Sequence, residues 1–113
     1  MKKLIFTGLL FLCVQLSAQV LPLRQQATVI DEVLTDRLNH LLPALMEKNG
    51  IDMWVLITRE YNEDPIVKTM LPATWLSARR RTILVFYYNP QTKEYQKLAV
   101  ARYSVGESIK AAW

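Results

Sequence analysis

The most constraining feature of the sequence is the run Met53–Ile57, in which five apolar residues follow one another without a polar interruption. Successive side chains of a strand point to opposite faces of its sheet, so a strand with one face in water normally alternates apolar and polar residues. An unbroken apolar run is typical of a strand covered on both faces. We therefore expect Met53–Ile57 to be an interior strand of an α/β sheet.

The residues before this run predict one main helix. Thr28 is the expected N-cap, with Asp31 as its capping-box partner. Pro43 predicts a kinked helix or two abutting helices, and Asn49-Gly50 predicts the end of the helix, with Gly50 in a left-handed conformation. Apolar residues at helical spacing define the expected buried face: Ile30, Leu34, Leu38, Leu41, Leu42, Leu45 and Met46.

The residues after the run predict a hairpin of two more strands. Residues 82–88 are rich in β-branched and aromatic side chains, and Asn89-Pro90 begins a turn that leads into a third strand over residues 94–103. Short helices are expected over residues 65–70 and after Ser104. The fold class is therefore α/β, a mixed sheet flanked by helices. We expect it to be incomplete, because one main helix and three strands cannot cover an interior strand.

Residues 1–18 have the order of a secretory signal peptide: Lys2 and Lys3, an apolar run, then Ala18 at the cleavage position. The apolar run is shorter than the ~20 residues of a membrane-spanning helix. We expect an exported protein, periplasmic or secreted, with residues 19–113 as its one domain. That domain has no cysteine and a net charge of +2, which gives no reason to expect nucleic acid or a membrane surface as a partner.

The sequence contains few candidate catalytic groups. His40 and Asp36 are four residues apart on the predicted helix, but two ligands are too few for a zinc site, which needs three or four. We therefore interpret them as part of a solvated helix face. Glu60, Glu63 and Asp64 share a polar loop, where we expect the carboxylates to be simply solvated. The chain has neither a glycine-rich phosphate loop nor a G-x-S-x-G nucleophile motif.

Arg79, Arg80 and Arg81 form the one local run of charge, at the start of the second strand. Because neighbouring side chains of a strand point to opposite faces, we expect at least one of these arginines to be half buried and paired with a carboxylate. Alternatively, the run binds a substrate carboxylate or another subunit, since guanidinium groups match carboxylates well. Nucleic-acid binding is disfavoured, because no stacking aromatic residues are placed around the run.

Several segments together resemble the N-terminal domain of the creatinase, prolidase and aminopeptidase P group of metallopeptidases. That domain typically has an arginine-leucine helix, a glycine stop, a strand led by Ile-Asp, and a polar loop with an asparagine. The matching residues here are Arg37-Leu38, Gly50, Ile51-Asp52 and Asn62. The segment Ser77–Arg81, which leads into the second strand, is similar to the corresponding segment of a secreted subgroup of Xaa-Pro aminopeptidase-like proteins. The resemblance spans residues 20–113, and the Tyr-Leu-Thr-Gly-Phe type motif that commonly follows the loop is absent.

The resemblance implies an N-terminal domain that is not itself catalytic. In the family, a following "pita-bread" domain holds two divalent metal ions (manganese, cobalt or zinc) with two Asp, one His and two Glu. The metal ions activate a hydroxide that attacks the bond before proline. None of these ligands is assigned to this chain, and the missing catalytic domain is its expected partner.

The resemblance also implies a place for the chain in the full protein, whose substrate would be a peptide. The N-terminal domain would wall the substrate cleft and help to build a homo-oligomer. The residues expected to face the substrate or a partner are Arg59, Glu60, Tyr61, Asn62, Arg79 and Arg80. The alternatives are a free-standing exported binding module that uses the same two segments, and a small hydrolase in its own right.

Overall fold

The structure is a computed structural model that describes residues 20–112. Its helical part consists of α1 (Leu23–Asp36), a π-turn (Arg37–Leu41) and α2 (Leu42–Asn49), and a 3₁₀ helix follows later at Val67–Met70. Its strands are β1 (Met53–Arg59), β2 (Arg81–Asn89), β3 (Glu94–Val100) and β4 (Lys110–Ala111). The sheet order is β1-β2-β3-β4, antiparallel except for the parallel pair β3 and β4. The mixed α/β class expected from the sequence is confirmed.

The predicted signal peptide, residues 1–18, lies outside the described residues. Within residues 20–112, none of the helices has both the length and the apolar character that crossing a membrane requires. Export of the chain stays a prediction.

Helix α1 begins earlier than its sequence pattern predicts. Its N-cap is Pro22, so the expected capping role of Thr28 is wrong. Thr28 lies inside the helix, where its hydroxyl donates to the carbonyl of Arg24 at 3.3 Å. The Asp31 carboxylate accepts the backbone N–H of Ala73 at 2.8 Å. Asp31 therefore joins α1 to the loop that precedes β2, instead of capping the helix.

The expected kink at Pro43 is replaced by the π-turn Arg37–Leu41, through which the helix continues. The N–H of Leu42 donates to the carbonyl of Arg37, five residues back, which widens the turn. Pro43 then lies in the first turn of α2, where a missing N–H costs little. The wider turn keeps side chains four residues apart on one buried face: Leu34, Leu38, Leu42 and Met46. Three residues expected on this face are instead about half exposed: Ile30, Leu41 and Leu45.

The end of α2 is connected to the β2–β3 hairpin. Gly50 closes the helix with φ of 64°, the left-handed conformation that was predicted. In the last turn, Glu47 accepts hydrogen bonds from the Lys93 ammonium and from the Tyr88 hydroxyl, the latter at 3.0 Å. The bond from Lys93, and then that from Tyr88, hold the pKa of the Glu47 carboxyl below its usual value. The helix and the hairpin are therefore held together by a polar contact as well as by the core.

The helices pack on one face of the sheet, here called the front face. Across β1 and β2, Leu56 lies opposite Leu84 and Thr58 lies opposite Thr82. These side chains are buried, and the two leucines belong to one apolar core with the buried stripe of the helix. Strand β3 adds Ala99 to that core. The front face is therefore the covered side of the sheet.

The opposite face, here called the back face, is also apolar. The strand register places its side chains in three rows: Met53, Tyr87 and Gln96; Val55, Val85 and Leu98; Ile57, Ile83 and Val100. On β1, the exposed fractions of Met53, Val55 and Ile57 are 55, 43 and 68%. Strand β1 pairs only with β2, so in the described part of the chain it is an edge strand. Within residues 20–112, β1 is therefore not the covered interior strand that the sequence predicts: it lies at the sheet edge with an exposed back face, although it is apolar on both faces.

The segment after β3 forms turns where a short helix was expected after Ser104. Val105 and Ile109 are buried and form an isolated bridge, in which the N–H of Val105 donates to the Ile109 carbonyl at 3.0 Å. The N–H of Ala111 in β4 donates to the Ser104 hydroxyl at 3.1 Å. Burial of Val105 and Ile109 anchors these turns to the core. Strand β3 ends at Val100, whereas the sequence predicts that it continues to residue 103.

Candidate functional site

The two segments singled out in the sequence meet at one end of the sheet. Arg59, at the end of β1, lies opposite Arg81, at the start of β2. The N–H of Glu60 donates to the Arg80 carbonyl at 2.7 Å, and the Glu60 carboxylate accepts the N–H of Arg80 at 3.3 Å. Glu60 therefore sets the spacing between the two segments. A surface cavity of about 550 Å³ is lined by Arg59, Glu60, Tyr61, Arg80 and Arg81.

The backbone at this end of the sheet is strained at two positions. Tyr61 and Arg80 have φ of 65° and 53°, in the left-handed region that residues with a Cβ rarely occupy. Such a conformation costs about 1–3 kcal/mol and persists only where the surroundings enforce it. Here the enforcing contacts are the two Glu60 hydrogen bonds, and the bond from the Asn62 N–H to the Arg59 carbonyl at 3.0 Å. Together they hold Tyr61 and Arg80 at the surface.

The other carboxylates of the loop have structural partners. The Glu63 side chain is largely buried, accepts the N–H of Ala78 at 2.5 Å and lies 3.8 Å from the Lys68 ammonium. The Asp64 carboxylate accepts the N–H of Ile66 at 2.8 Å, in the turn that leads into the 3₁₀ helix. The expectation that these carboxylates are simply solvated is therefore wrong for Glu63. Both carboxylates shape the loop that carries Asn62.

A larger cavity, of about 760 Å³, is lined by the whole arginine run and is here called the arginine pocket. Its polar lining consists of Arg79, Arg80, Arg81, Arg102 and Thr82. Its apolar and aromatic lining consists of Trp75, Ile83, Val100, Ala101 and Tyr103. The cavity therefore combines four positively charged side chains with an apolar and aromatic lining.

Two arginines of the pocket lie against aromatic rings. The Cζ atom of Arg79 is 5.6 Å from the ring centre of Trp75, and the Cζ atom of Arg102 is 5.6 Å from that of Tyr103. A guanidinium group within about 6 Å of a ring centre is attracted by the electrons of the ring face. These contacts orient the two guanidinium groups without neutralising them.

The expected ion pair of the arginine run is not formed within residues 20–112. The ion pairs there join other residues, and the side chains of Arg79, Arg80 and Arg81 are exposed. The prediction of a half-buried, carboxylate-paired arginine is therefore wrong. The reason is that Glu60 bonds to the backbone of Arg80 and not to its side chain.

The sequence did not indicate the pocket residues outside the arginine run, of which Trp75, Arg102 and Tyr103 carry a charge or an aromatic ring. The argument that no aromatic residues lie around the run is therefore wrong. The predicted hairpin could have indicated the position of Arg102. Ile83 pairs with Val100, and if the same register continues by two residues, residue 102 lies beside Arg81. Trp75 lies in an irregular segment between the 3₁₀ helix and β2, where no periodic pattern indicates a position.

The candidate metal ligands His40 and Asp36 lie on an exposed face of the helix. Their side chains are joined by a hydrogen bond of 2.9 Å between Nδ1 and Oδ1. Across residues 20–112, no group of three or more His, Cys, Asp or Glu side chains is arranged to hold a metal ion. The family resemblance assigns its two metal ions to a separate catalytic domain and not to these residues.

Comparisons with protein-family models, with curated proteins and with solved structures gave no match. The fold and the site define the class of the molecule: a mixed α/β protein with an arginine-lined cavity at one end of its sheet.

Proposed function

We propose that residues 19–113 form the non-catalytic N-terminal domain of an exported metallopeptidase that cleaves before proline, of the creatinase, prolidase and aminopeptidase P group. The domain would wall the substrate cleft and contribute to a homo-oligomer. The two divalent metal ions would belong to a catalytic domain elsewhere in the same protein. The sequence resemblance supplies the family, and the observed order of helix, glycine stop, strand, polar loop and hairpin agrees with it.

The observation that carries the proposal is the apolar back face. An antiparallel sheet that faces water usually carries polar residues on its outer side. Here β1, β2 and β3 present an apolar surface on that side, with Val55, Val85 and Leu98 in its central row. Covering apolar surface stabilises a protein by about 25 cal/mol per Å². Since α/β domains cover both faces of a sheet with helices, we expect helices of the same protein to cover this face.

The arginine-rich end of the sheet has a role in this proposal. Arg59, Tyr61 and Arg80 are exposed there, and strained backbone holds two of them in place. At the rim of a sheet that packs against a catalytic domain, they would face the peptide substrate or a neighbouring subunit.

The test of the proposal compares this chain with a longer one that includes whatever the gene encodes after codon 113. We expect an in-frame segment that supplies two Asp, one His and two Glu. With added manganese, the longer protein should release the N-terminal residue of an Xaa-Pro peptide, whereas the 113-residue chain should not. Replacing the histidine ligand of the longer protein with alanine is the control. A stop codon directly after codon 113 in verified DNA would contradict the proposal.

A second candidate function is a free-standing exported binding module. It is favoured by the arginine pocket, whose guanidinium groups form no ion pair within residues 20–112. Thermal melting of the exported chain, followed by circular dichroism, separates the two candidates. A cooperative melt of a monomer would favour the module, and an aggregated or molten state would favour a domain of a larger protein.

Sequencing the N-terminus of the same sample tests export. Removal of the predicted signal peptide should leave Gln19 as the first residue.

A further inference from the structure

We propose that the arginine pocket binds a small organic oxyanion: a carboxylate or phosphate group carried by a compact apolar body. The pocket lies entirely within the described residues, so this inference goes beyond the proposed function and requires no catalytic domain. Because Ile83 and Val100 also belong to the last apolar row of the back face, it requires that the proposed second layer of helices leave that row open. It combines three features of the site: its charge, the orientation of its guanidinium groups, and the shape of its walls.

The charge of the pocket favours an anion. Arg79, Arg80, Arg81 and Arg102 line one cavity, and no carboxylate within residues 20–112 forms an ion pair with any of them. A cleft lined by charge of one sign concentrates the electric field and attracts ligands of the opposite sign. Clustered like charges also repel one another. A bound oxyanion would relieve that repulsion and accept charge-assisted hydrogen bonds, which are among the strongest that proteins form.

Two of the four guanidinium groups lie against aromatic rings before any ligand arrives. Arg79 lies against Trp75 and Arg102 lies against Tyr103, so ring contacts restrict both planar groups. The backbone of Arg80 is held by Glu60 on both its N–H and its carbonyl. A binding group that is already restrained loses less conformational entropy when the ligand binds.

The walls of the pocket indicate which kind of group should carry the anion. Its volume, about 760 Å³, is within the range of small-molecule sites. Trp75, Ile83 and Val100 provide apolar surface beside the arginines, and Val100 is 40% exposed. A purely inorganic ion would leave that surface in water, whereas an apolar body joined to the anionic group would cover it. An amphiphilic anion is therefore the ligand that matches the pocket.

The test titrates the full 113-residue chain with two probes, N-acetylphenylalanine and phenyl phosphate, by isothermal titration calorimetry. We expect saturable binding of one probe molecule per chain, and the tighter probe identifies the preferred anionic group. The uncharged amide of N-acetylphenylalanine should bind at least about tenfold more weakly, because it lacks the charge that the arginines recognise. Binding should also weaken as salt is added, since these arginines are exposed to solvent.

The variants locate the binding in the pocket. The double substitution R79Q/R102Q should weaken binding of the tighter probe at least about tenfold. The control R24Q/K48Q removes the same charge from exposed helical positions outside the pocket, and should change the affinity less than about twofold. Circular dichroism verifies that each variant is folded. If R79Q/R102Q does not fold, the single substitution R81Q replaces it, with R24Q as its control.

Three results would overturn the inference. The first is no saturable binding of either probe by the wild-type chain. The second is equal affinity for N-acetylphenylalanine and its amide. The third is an equal loss of affinity in the pocket variant and its control. The proposed peptidase function is tested separately, by the gene beyond codon 113, so either proposal can fail while the other stands.

Discussion

At the scale of single residues, two buried threonines show that the surroundings of a hydroxyl group decide whether it stabilises or destabilises the fold. Thr58 and Thr82 lie opposite one another on the front face of β1 and β2, and both are buried. The Thr82 hydroxyl donates to the Arg79 carbonyl at 3.3 Å, whereas the Thr58 hydroxyl has no partner within residues 20–112. A buried polar group without a partner costs about 1–3 kcal/mol. We therefore expect the two hydroxyl groups to have opposite effects on stability.

Replacing each threonine with valine tests this difference. Valine nearly preserves the shape of the side chain and removes the hydroxyl. We expect Thr58→Val to raise the free energy of unfolding by about 1 kcal/mol, because an unpaired buried group is lost. Thr82→Val should lower it by about 1 kcal/mol, because the Arg79 carbonyl loses its donor. Urea unfolding followed by circular dichroism measures both, and changes of the same sign would contradict the assignment.

At the scale of elements, the long helix shows how a local irregularity selects the buried face. The sequence pattern assigned both Leu38 and Leu41 to that face. The π-turn Arg37–Leu41 instead buries Leu38 completely, at 0% exposure, and leaves Leu41 51% exposed. A regular α-helix has 3.6 residues per turn, so side chains at intervals of four gradually leave one face. The π-turn corrects that drift between Leu34 and Met46.

Alanine substitutions at the two leucines distinguish the observed helix from a regular one. Leu38→Ala should lower the free energy of unfolding by about 2–5 kcal/mol, because it opens a cavity in the core. Leu41→Ala removes the same atoms from a half-exposed position and should cost less than about 1 kcal/mol. Urea midpoints of the two variants measure the contrast. Equal losses would mean that both leucines face the core, as in a regular helix.

At the scale of the whole molecule, the sheet has two apolar faces, and the described residues cover one of them. Strand β1 shows this most clearly, because Leu56 is buried on the front face and its neighbour Ile57 is 68% exposed on the back face. An exposed apolar surface that is contiguous across three strands normally marks an interaction surface. The proposed second layer of helices would turn β1 from a half-covered strand into a fully covered one.

Lysine substitutions at these neighbours test the two faces. Leu56→Lys should unfold the chain, because it places an unpaired charge in the core. Ile57→Lys should leave the fold intact and raise the solubility of the 113-residue chain, because it interrupts an exposed apolar surface. In a longer protein with a second layer, Ile57→Lys should become strongly destabilising as well. Circular dichroism and solubility measurements check both, and unfolding by Ile57→Lys in the short chain would show that its back face is already covered.

Much of the fold, but less of the candidate site, could be predicted from the sequence. The hairpin, the glycine stop and the α/β class follow from local patterns, and the predicted strand bounds differ from the observed ones by only a few residues. The residue types around Arg59 and Arg80 predict a site in each of these two segments, and the structure brings the segments together. Trp75 and Arg102 escaped prediction because a cavity joins residues that are distant along the chain. Their proximity depends on the strand register and on an irregular loop.

The sequence by itself determined the main helix, the first three strands, where α2 stops, and that β1 is apolar on both sides. Only the tertiary structure decided which side of β1 is covered, which leucines of the helix enter the core, and whether the arginine run meets carboxylates or stays open to a ligand. Backbone propensity and side-chain alternation act between near neighbours, so the sequence pattern records them directly. The covering of a sheet face and the pairing of charges depend on elements that are far apart in the chain, and only packing brings those elements together.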